Sequence, residues 1–261
     1  AAAVSALRTL GALAGLLLAG YLAVLALLFF GQRSLLYFPQ FTRDPVIEPD
    51  FTLDVEGATL RGWVLNPGRP KALLYFGGNA QDLSLVLDDV AAWAPDHTVY
   101  LVAYRGFGRS SGEPSEAALA ADAIALFDHV AATHAAVDVY GRSLGSGVAT
   151  HVAAVRPVRR LALVTPFDSV LRVGQAMYPW APLRWLLLDP FDSVGRAPAL
   201  TMPTLVVIAG RDEVIPVAHS EALAAALPKP PKVLRLPEAR HADVQAFPEY
   251  AATLRRFFGA E

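Results

Sequence analysis

The string VDVYGRSLGSG sets Gly141, Ser143 and Gly145 in a GxSxG pattern, directly after a short apolar β-rich run and directly before a helical one. A serine on so tight a strand-to-helix turn must take a strained backbone. Glycines on either side let strand and helix approach without Cβ collisions while the hydroxyl stays exposed. That hydroxyl is a poor nucleophile near neutral pH, so the reading requires a histidine as base and a carboxylate to fix the histidine's tautomer and stabilise its charged form. The chain order Ser, Asp, His is the test, and two residues meet it. Asp212 follows the apolar run TLVVIA in the turn GRDEVIP, at the C-terminal end of a predicted strand, where open α/β sheets build their sites. His241 follows VLRLP in EARHADV, in the loop after the last predicted strand. Glu213 and Asp168 are reserve acids, and Asp189 and Asp192 are expected to shape a cap. His97, His129, His134, His151 and His219 fall where helix surface or loop solvation accounts for them.

Acyl chemistry at Ser143 also needs donors for an oxyanion. The Leu144 N–H, at the positive end of the helix that follows the serine, is one. The second is expected from the loop YFGGNAQD, assigned to Asn79 with Gly78 as the neighbouring alternative. The stretch YRGFGRSSGEPS reads as a structured loop near the site rather than a phosphate cradle, because no helix opens on its glycines. The chain has no cysteine, no HExxH spacing and no Cys/His cluster, so neither a metal nor a cofactor is expected.

A sheet must position these residues. From residue 51 onward short apolar runs alternate with longer helical patterns, an α/β organisation. Strands are predicted over 51–55, 60–65, 72–76, 98–103, 137–140, 161–164, 204–209 and 233–236, and helices over 81–93, 114–133, 144–155, 217–227 and 245–258. LLYF, VYLVA, LALV and LVVIA are continuously apolar, as strands covered on both faces by helices should be, whereas the first two strands alternate like an antiparallel edge. Residues 167–203 break the rhythm and read as a small cap insertion, with Tyr178, Trp180 and Trp185 as expected substrate contacts.

The chain of 261 residues fits one catalytic unit plus an appendage. A net charge of -2, with 22 basic and 24 acidic residues and no Lys/Arg block, argues against a nucleic-acid partner. The hydrophobic fraction of 54% exceeds that of an ordinary soluble domain, and the excess sits at one end. Residues 10–30, LGALAGLLLAGYLAVLALLFF, carry no charge and as a helix span about 30 Å, the thickness of a bilayer's hydrocarbon core. An uncleaved anchor is preferred to a cleaved signal peptide, since the run outlasts a usual apolar signal region and no small-x-small site precedes Gln32 and Arg33. The expected organisation is therefore an anchor over 1–34 and a catalytic domain over 35–261, with a lipid bilayer as partner. Arg8 lies before the span, Arg33 and Arg43 after it, and the chain begins at Ala rather than Met, so these flanks do not fix an orientation. Phe29, Phe30, Tyr37, Phe38 and Phe41 suggest an interfacial belt. Nothing in the sequence sets an oligomeric state.

Taken together, FGGNAQD, AYRGFGRSSGEPSE, YGRSLGSG, TPFDSV, YPWAPLRWLLLDPFDS, AGRDEVIP and RHAD resemble the small membrane-associated α/β-hydrolases that include eukaryotic protein depalmitoylases and many bacterial relatives. The match spans about residues 35 to 258. The resemblance implies an α/β-hydrolase fold, an eight-stranded mostly parallel sheet flanked by helices, and Ser143, Asp212 and His241 as triad. Such relatives commonly carry His-Gly before the oxyanion Asn, whereas this chain has Gly77 and Gly78, which removes a side chain that usually supports the loop. The expected activity is cleavage of small-molecule or lipid-like carboxylic esters or thioesters with apolar acyl chains, through an acyl-enzyme. The alternatives are a serine aminopeptidase or amidase using the same triad, with Glu113 or Asp168 lining an amine pocket, and a non-catalytic membrane scaffold, against which the presence of all three triad residues argues.

Overall fold

The computed structural model describes residues 2–260. Its first element, α1 (Ala2–Leu36), runs beyond the apolar stretch at both ends. No proline interrupts it before Pro39, which disfavours helical backbone at Phe38 and so sets the C-terminal end. α1 is long and apolar enough to cross a membrane.

Eight strands form one sheet: β1 (Phe51–Val55), β2 (Ala58–Leu65), β3 (Lys71–Phe76), β4 (His97–Val102), β5 (Ala136–Arg142), β6 (Leu161–Val164), β7 (Thr204–Ala209) and β8 (Lys232–Leu236). Their order is β1-β2-β4-β3-β5-β6-β7-β8. The first two are antiparallel to their neighbours, and every pairing from β4 to β8 is parallel. Hydropathy dictates this layout. β3, β6 and β7 are apolar on both faces and almost wholly buried, while β1 alternates half-buried with exposed positions, as an edge strand does.

Successive side chains of a strand point to opposite faces, so each inner strand feeds two cores. Leu74, Val139, Leu163 and Val206 join the core under α3 (Glu116–Ala131), α4 (Leu144–Val155) and α8 (Val217–Ala226). Leu73, Tyr140, Val164 and Val207 join the other, under α2 (Leu87–Trp93) and α9 (Pro248–Gly259). Each such fully buried aliphatic side chain contributes about 1.5–3 kcal/mol. Two helices give way to 3-10 turns at the start of their sequence patterns. In place of a helix from residue 81, Asp82 accepts the Ser84 N–H at 2.9 Å and caps a 3-10 turn, Leu83–Leu85, before α2 begins. Likewise Pro248, which has no N–H to donate, opens α9 after a separate 3-10 turn over Val244–Ala246.

Between β6 and β7 the chain forms three short helices, α5 (Val170–Met177), α6 (Leu183–Leu186) and α7 (Ser193–Arg196). Asp192 caps the last, accepting the Gly195 N–H at 3.0 Å. Asp189 instead receives Arg33 of α1 at 3.1 Å and the Glu116 N–H at 3.0 Å. Tyr37 does not belong to an interfacial belt: it is buried against Phe191, while Phe30 and Phe41 are exposed.

Candidate active site

Ser143 lies between the last residue of β5 and the first of α4, with φ +51° and ψ -118°. That backbone costs a non-glycine residue about 1–3 kcal/mol. The fold holds it in place: the Ser143 N–H donates to the Val164 carbonyl at 2.9 Å, and the Ser146 hydroxyl donates to the Ser143 carbonyl at 2.6 Å. A Cβ on Gly141 would fall on the Gly145 carbonyl, and one on Gly145 would fall on the Phe76 and Gly77 carbonyls. The two glycines are therefore steric requirements of the turn.

β7 and β8 deliver the other two residues. His241 Nε2 stands 2.9 Å from Ser143 Oγ, and His241 Nδ1 stands 2.8 Å from Asp212 Oδ2 and 3.0 Å from Oδ1. Asp212 is itself fixed, because its Oδ1 accepts the Val214 N–H at 2.9 Å and the Ile215 N–H at 2.7 Å. A carboxylate facing Nδ1 favours the Nδ1–H tautomer and leaves the Nε2 lone pair toward the serine hydroxyl, the geometry of a general base. Arg142, a residue given no role by sequence pattern, donates to the carbonyls of His241 at 3.0 Å and Ala242 at 3.2 Å, tying the histidine loop to the nucleophile's strand.

The reserve acids go elsewhere. Glu213 Oε2 accepts the His241 backbone N–H at 3.3 Å rather than facing the ring. Asp168 Oδ1 faces His219 Nδ1 at 2.9 Å and accepts the Ser169 N–H at 2.6 Å. His219 and His97 are thus not solvated surface histidines. His219 shares a buried carboxylate, and His97 Nε2 stands 2.8 Å from Asp138, which also pairs with Arg159. Burial of a carboxylate is a tertiary fact that local spacing does not carry.

In the loop after β3, the Gly78 N–H donates to Gln81 Oε1 at 2.7 Å. The Asn79 backbone N–H, by contrast, has no protein acceptor among the described residues. The loop packs on the nucleophile, since a Cβ at Gly78 would sit 3.7 Å from the Ser143 Cβ. Leu144, as first residue of α4, has an N–H without an intrahelical acceptor. The Asn79 side chain reaches the end of α1, donating to the Leu36 carbonyl at 2.6 Å and accepting the Phe38 N–H at 3.1 Å. The support missing at Gly77 is supplied from other positions. Gln81 also donates to the Tyr75 hydroxyl at 3.2 Å, and the Tyr104 hydroxyl donates to the Gly77 carbonyl at 2.8 Å. Burial pushes the Tyr104 phenol well above its ordinary pKa, so it remains a protonated donor at neutral pH.

A cavity of about 530 Å³ opens beside Ser143, walled by Leu36, Phe38, Phe167, Val170, Met177 and Ile215. Tyr178 lines it; Trp180 and Trp185 do not. The Trp180 ring instead meets Tyr21 of α1 edge-on at 6.3 Å, and Trp185 lies under the Arg184 guanidinium at 4.6 Å. The one carboxylate among the described lining residues is Glu213.

No family model matches the chain. An uncharacterized protein of Mycobacterium tuberculosis is 35% identical over 240 residues, 84% of this chain and 84% of that protein. The alpha/beta hydrolase domain-containing protein aho-3 of Caenorhabditis elegans is 30% identical over 201 residues, 75% of this chain and 59% of its own length. Alpha/beta hydrolase domain-containing protein 17B of Xenopus laevis is 29% identical over the same length, 75% of this chain and 68% of its own. The chain belongs to the α/β-hydrolase family. Solved α/β-hydrolase structures share its fold. The enol-lactonase of Burkholderia xenovorans superposes with a TM-score of 0.64 at 18% identity, covering 80% of this chain and 100% of its own. A Pyrococcus furiosus esterase does so with a TM-score of 0.64 at 18% identity, covering 84% and 98%. The α/β-hydrolase frame explains why residues from β5, β7 and β8, distant in sequence, meet at one edge of the sheet: parallel strands end on the same side, and the loops at their C-terminal ends converge there.

Proposed function

We propose that this α/β-hydrolase is a membrane-anchored serine hydrolase that cleaves carboxylic esters or thioesters of apolar acyl chains. The observation that carries the proposal is the hydrogen-bonded line Ser143, His241, Asp212 beside an apolar cavity. His241 Nε2 takes the Ser143 proton as Oγ attacks the acyl carbonyl carbon, and the resulting oxyanion accepts hydrogen bonds from the Leu144 and Asn79 amides. As the tetrahedral adduct collapses, the C–O or C–S bond breaks and His241 gives its proton to the departing alcohol or thiol. A water, deprotonated by His241, then attacks the acyl-serine, the acid leaves and Ser143 recovers its proton. The cycle uses only these groups and water.

Length and composition of α1 support the anchor. The cavity favours an acyl chain over a peptide amine. Its carboxylate, Glu213, is engaged by the His241 backbone, Asp168 is turned to His219, and Glu113 lines a separate surface cleft. The test is initial rates on p-nitrophenyl esters of increasing acyl length and on aminoacyl p-nitroanilides, with wild type and Ser143→Ala. Ester turnover that rises with chain length and vanishes in the variant is expected. Faster cleavage of the anilides than of any ester would favour the amidase reading.

A further inference from the structure

The cap is joined to α1 along the second half of that helix. Leu25, Leu28, Phe29, Gln32 and Leu36 are half-buried while the residues between them are mostly exposed, a spacing of three and four that marks one helix face. On that face the Tyr21 hydroxyl donates to the Trp180 carbonyl at 3.0 Å. Gln32 donates to the Leu186 carbonyl at 3.1 Å and accepts the Leu188 N–H at 2.7 Å. The cap therefore climbs α1 from Gln32 to Tyr21, about 16 Å at a rise of about 1.5 Å per residue. Tyr21 lies at the centre of the uncharged stretch 10–30, which Arg8 and Arg33 bracket.

We infer that the cap segment from Tyr178 to Leu188 lies in the hydrocarbon of one bilayer leaflet beside α1, so that the active-site cavity opens to acyl chains. The inference rests on the proposed anchoring by α1, and a bilayer is the occupant it commits to. A segment held against the middle of a membrane-crossing helix has no route back to water. Its chemistry suits hydrocarbon, which favours irregular backbone whose polar groups are satisfied within the protein, as they are here for every non-helical N–H of the segment but that of Trp180. The N–H groups of Tyr178, Ala181, Leu183, Trp185 and Leu187 donate to nearby carbonyls, and Pro179 and Pro182 have none to donate. Gln175 of α5 donates to the Tyr178 and Ala181 carbonyls, and α1 side chains serve Trp180, Leu186 and Leu188. The outward side chains include Tyr178, Trp180, Trp185 and Leu188, all exposed and apolar or aromatic. The single charge in the segment, Arg184, has its guanidinium over the Trp185 ring and a stem long enough to reach toward headgroups. Leu35, Met177 and Tyr178 line the cavity and are exposed, so the opening faces the same side as this surface. The substrate class that follows is an ester or thioester whose acyl chain already resides in the bilayer and enters sideways.

Tryptophan quenching by brominated lipid tests this. Full-length protein is reconstituted in phosphatidylcholine vesicles with and without bromine at mid-chain, and vesicle flotation reports anchoring on the same samples. Trp63 and Trp93 are buried in the catalytic domain and serve as background. Strong quenching is expected, most of it lost in the Trp180→Phe/Trp185→Phe variant and part of it in Trp185→Phe alone, whose exposed ring contributes little to the fold. Protein that floats without quenching, or whose quenching survives the double variant, overturns the embedding and leaves the anchor standing. Protein that does not float overturns both.

Discussion

Asp212→Asn separates the role of the carboxylate from its shape. Asp212 Oδ1 accepts two backbone N–H groups, from Val214 and Ile215, so an asparagine keeps its oxygen there and places its NH₂ where Oδ2 now stands 2.8 Å from His241 Nδ1. The opposite flip would set that NH₂ against two donors, forfeiting the hydrogen bonds from the Val214 and Ile215 N–H groups. The amide therefore donates to Nδ1, the ring carries its proton on Nε2, and Nε2 can no longer accept the Ser143 proton. Loss of the charge that stabilises the imidazolium adds to this. The expected cost is about 10⁴-fold in kcat, about 5.5 kcal/mol at about 1.4 kcal/mol per decade. Because Asp212→Ala leaves the tautomer free, it should be no worse than the asparagine variant. The assay is kcat and KM on the best p-nitrophenyl ester, with circular dichroism to show that the fold persists. A loss of less than about tenfold, roughly 1.4 kcal/mol, would show that Asp212 does not set the His241 tautomer.

Asn79→Ala removes both hydrogen bonds between the loop after β3 and the end of α1, and loss of about 1.4 kcal/mol of positioning in the transition state should lower kcat about tenfold with KM little changed; an unchanged kcat would show that the side chain does not position the amide. Gly145→Ala drives a Cβ into the Phe76 carbonyl and should destabilise by at least about 2 kcal/mol, read as a lower melting temperature. An unaltered melt would contradict the close approach of α4 to β3. His151 has its pKa lowered from 6.5, chiefly by burial and next by Arg196, and its Nδ1 is buried with no partner among the described residues. Since the folded state resists protonation, stability should be unaffected well above pH 6.5 and fall as pH drops below it toward the lowered value, and His151→Gln should flatten that slope in melts across pH.

The sheet was legible because β6 and β7 are apolar on both faces and β1 alternates as an edge strand should: the ranges expected for β1, β6 and β7 are those observed. Helix starts in the loops after β3 and β8 were not, because Asp82 capping and Pro248 act on single backbone groups that a hydrophobic pattern does not register. Ser143, Asp212 and His241 could be picked out because each follows a strand end, and chain order ties them to one edge of the sheet. Their supports were hidden: Arg142 and Tyr104 hold the site through single carbonyls far away in sequence, and Gln81 through one backbone N–H that no residue pattern marks. The cap aromatics show the same limit. Tyr178, Trp180 and Trp185 look equivalent as residue types, yet Trp180 is held by Tyr21 of α1, Trp185 is exposed beneath Arg184, and Tyr178 alone lines the cavity.

Covalent capture asks directly whether His241 activates Ser143 as a nucleophile. Full-length protein treated with a fluorophosphonate is digested and the adduct located by mass spectrometry. One adduct per chain, on the peptide bearing Ser143 and abolished by Ser143→Ala and by His241→Ala, is the predicted result. Folded protein that never labels, or that labels equally well without His241, would contradict it.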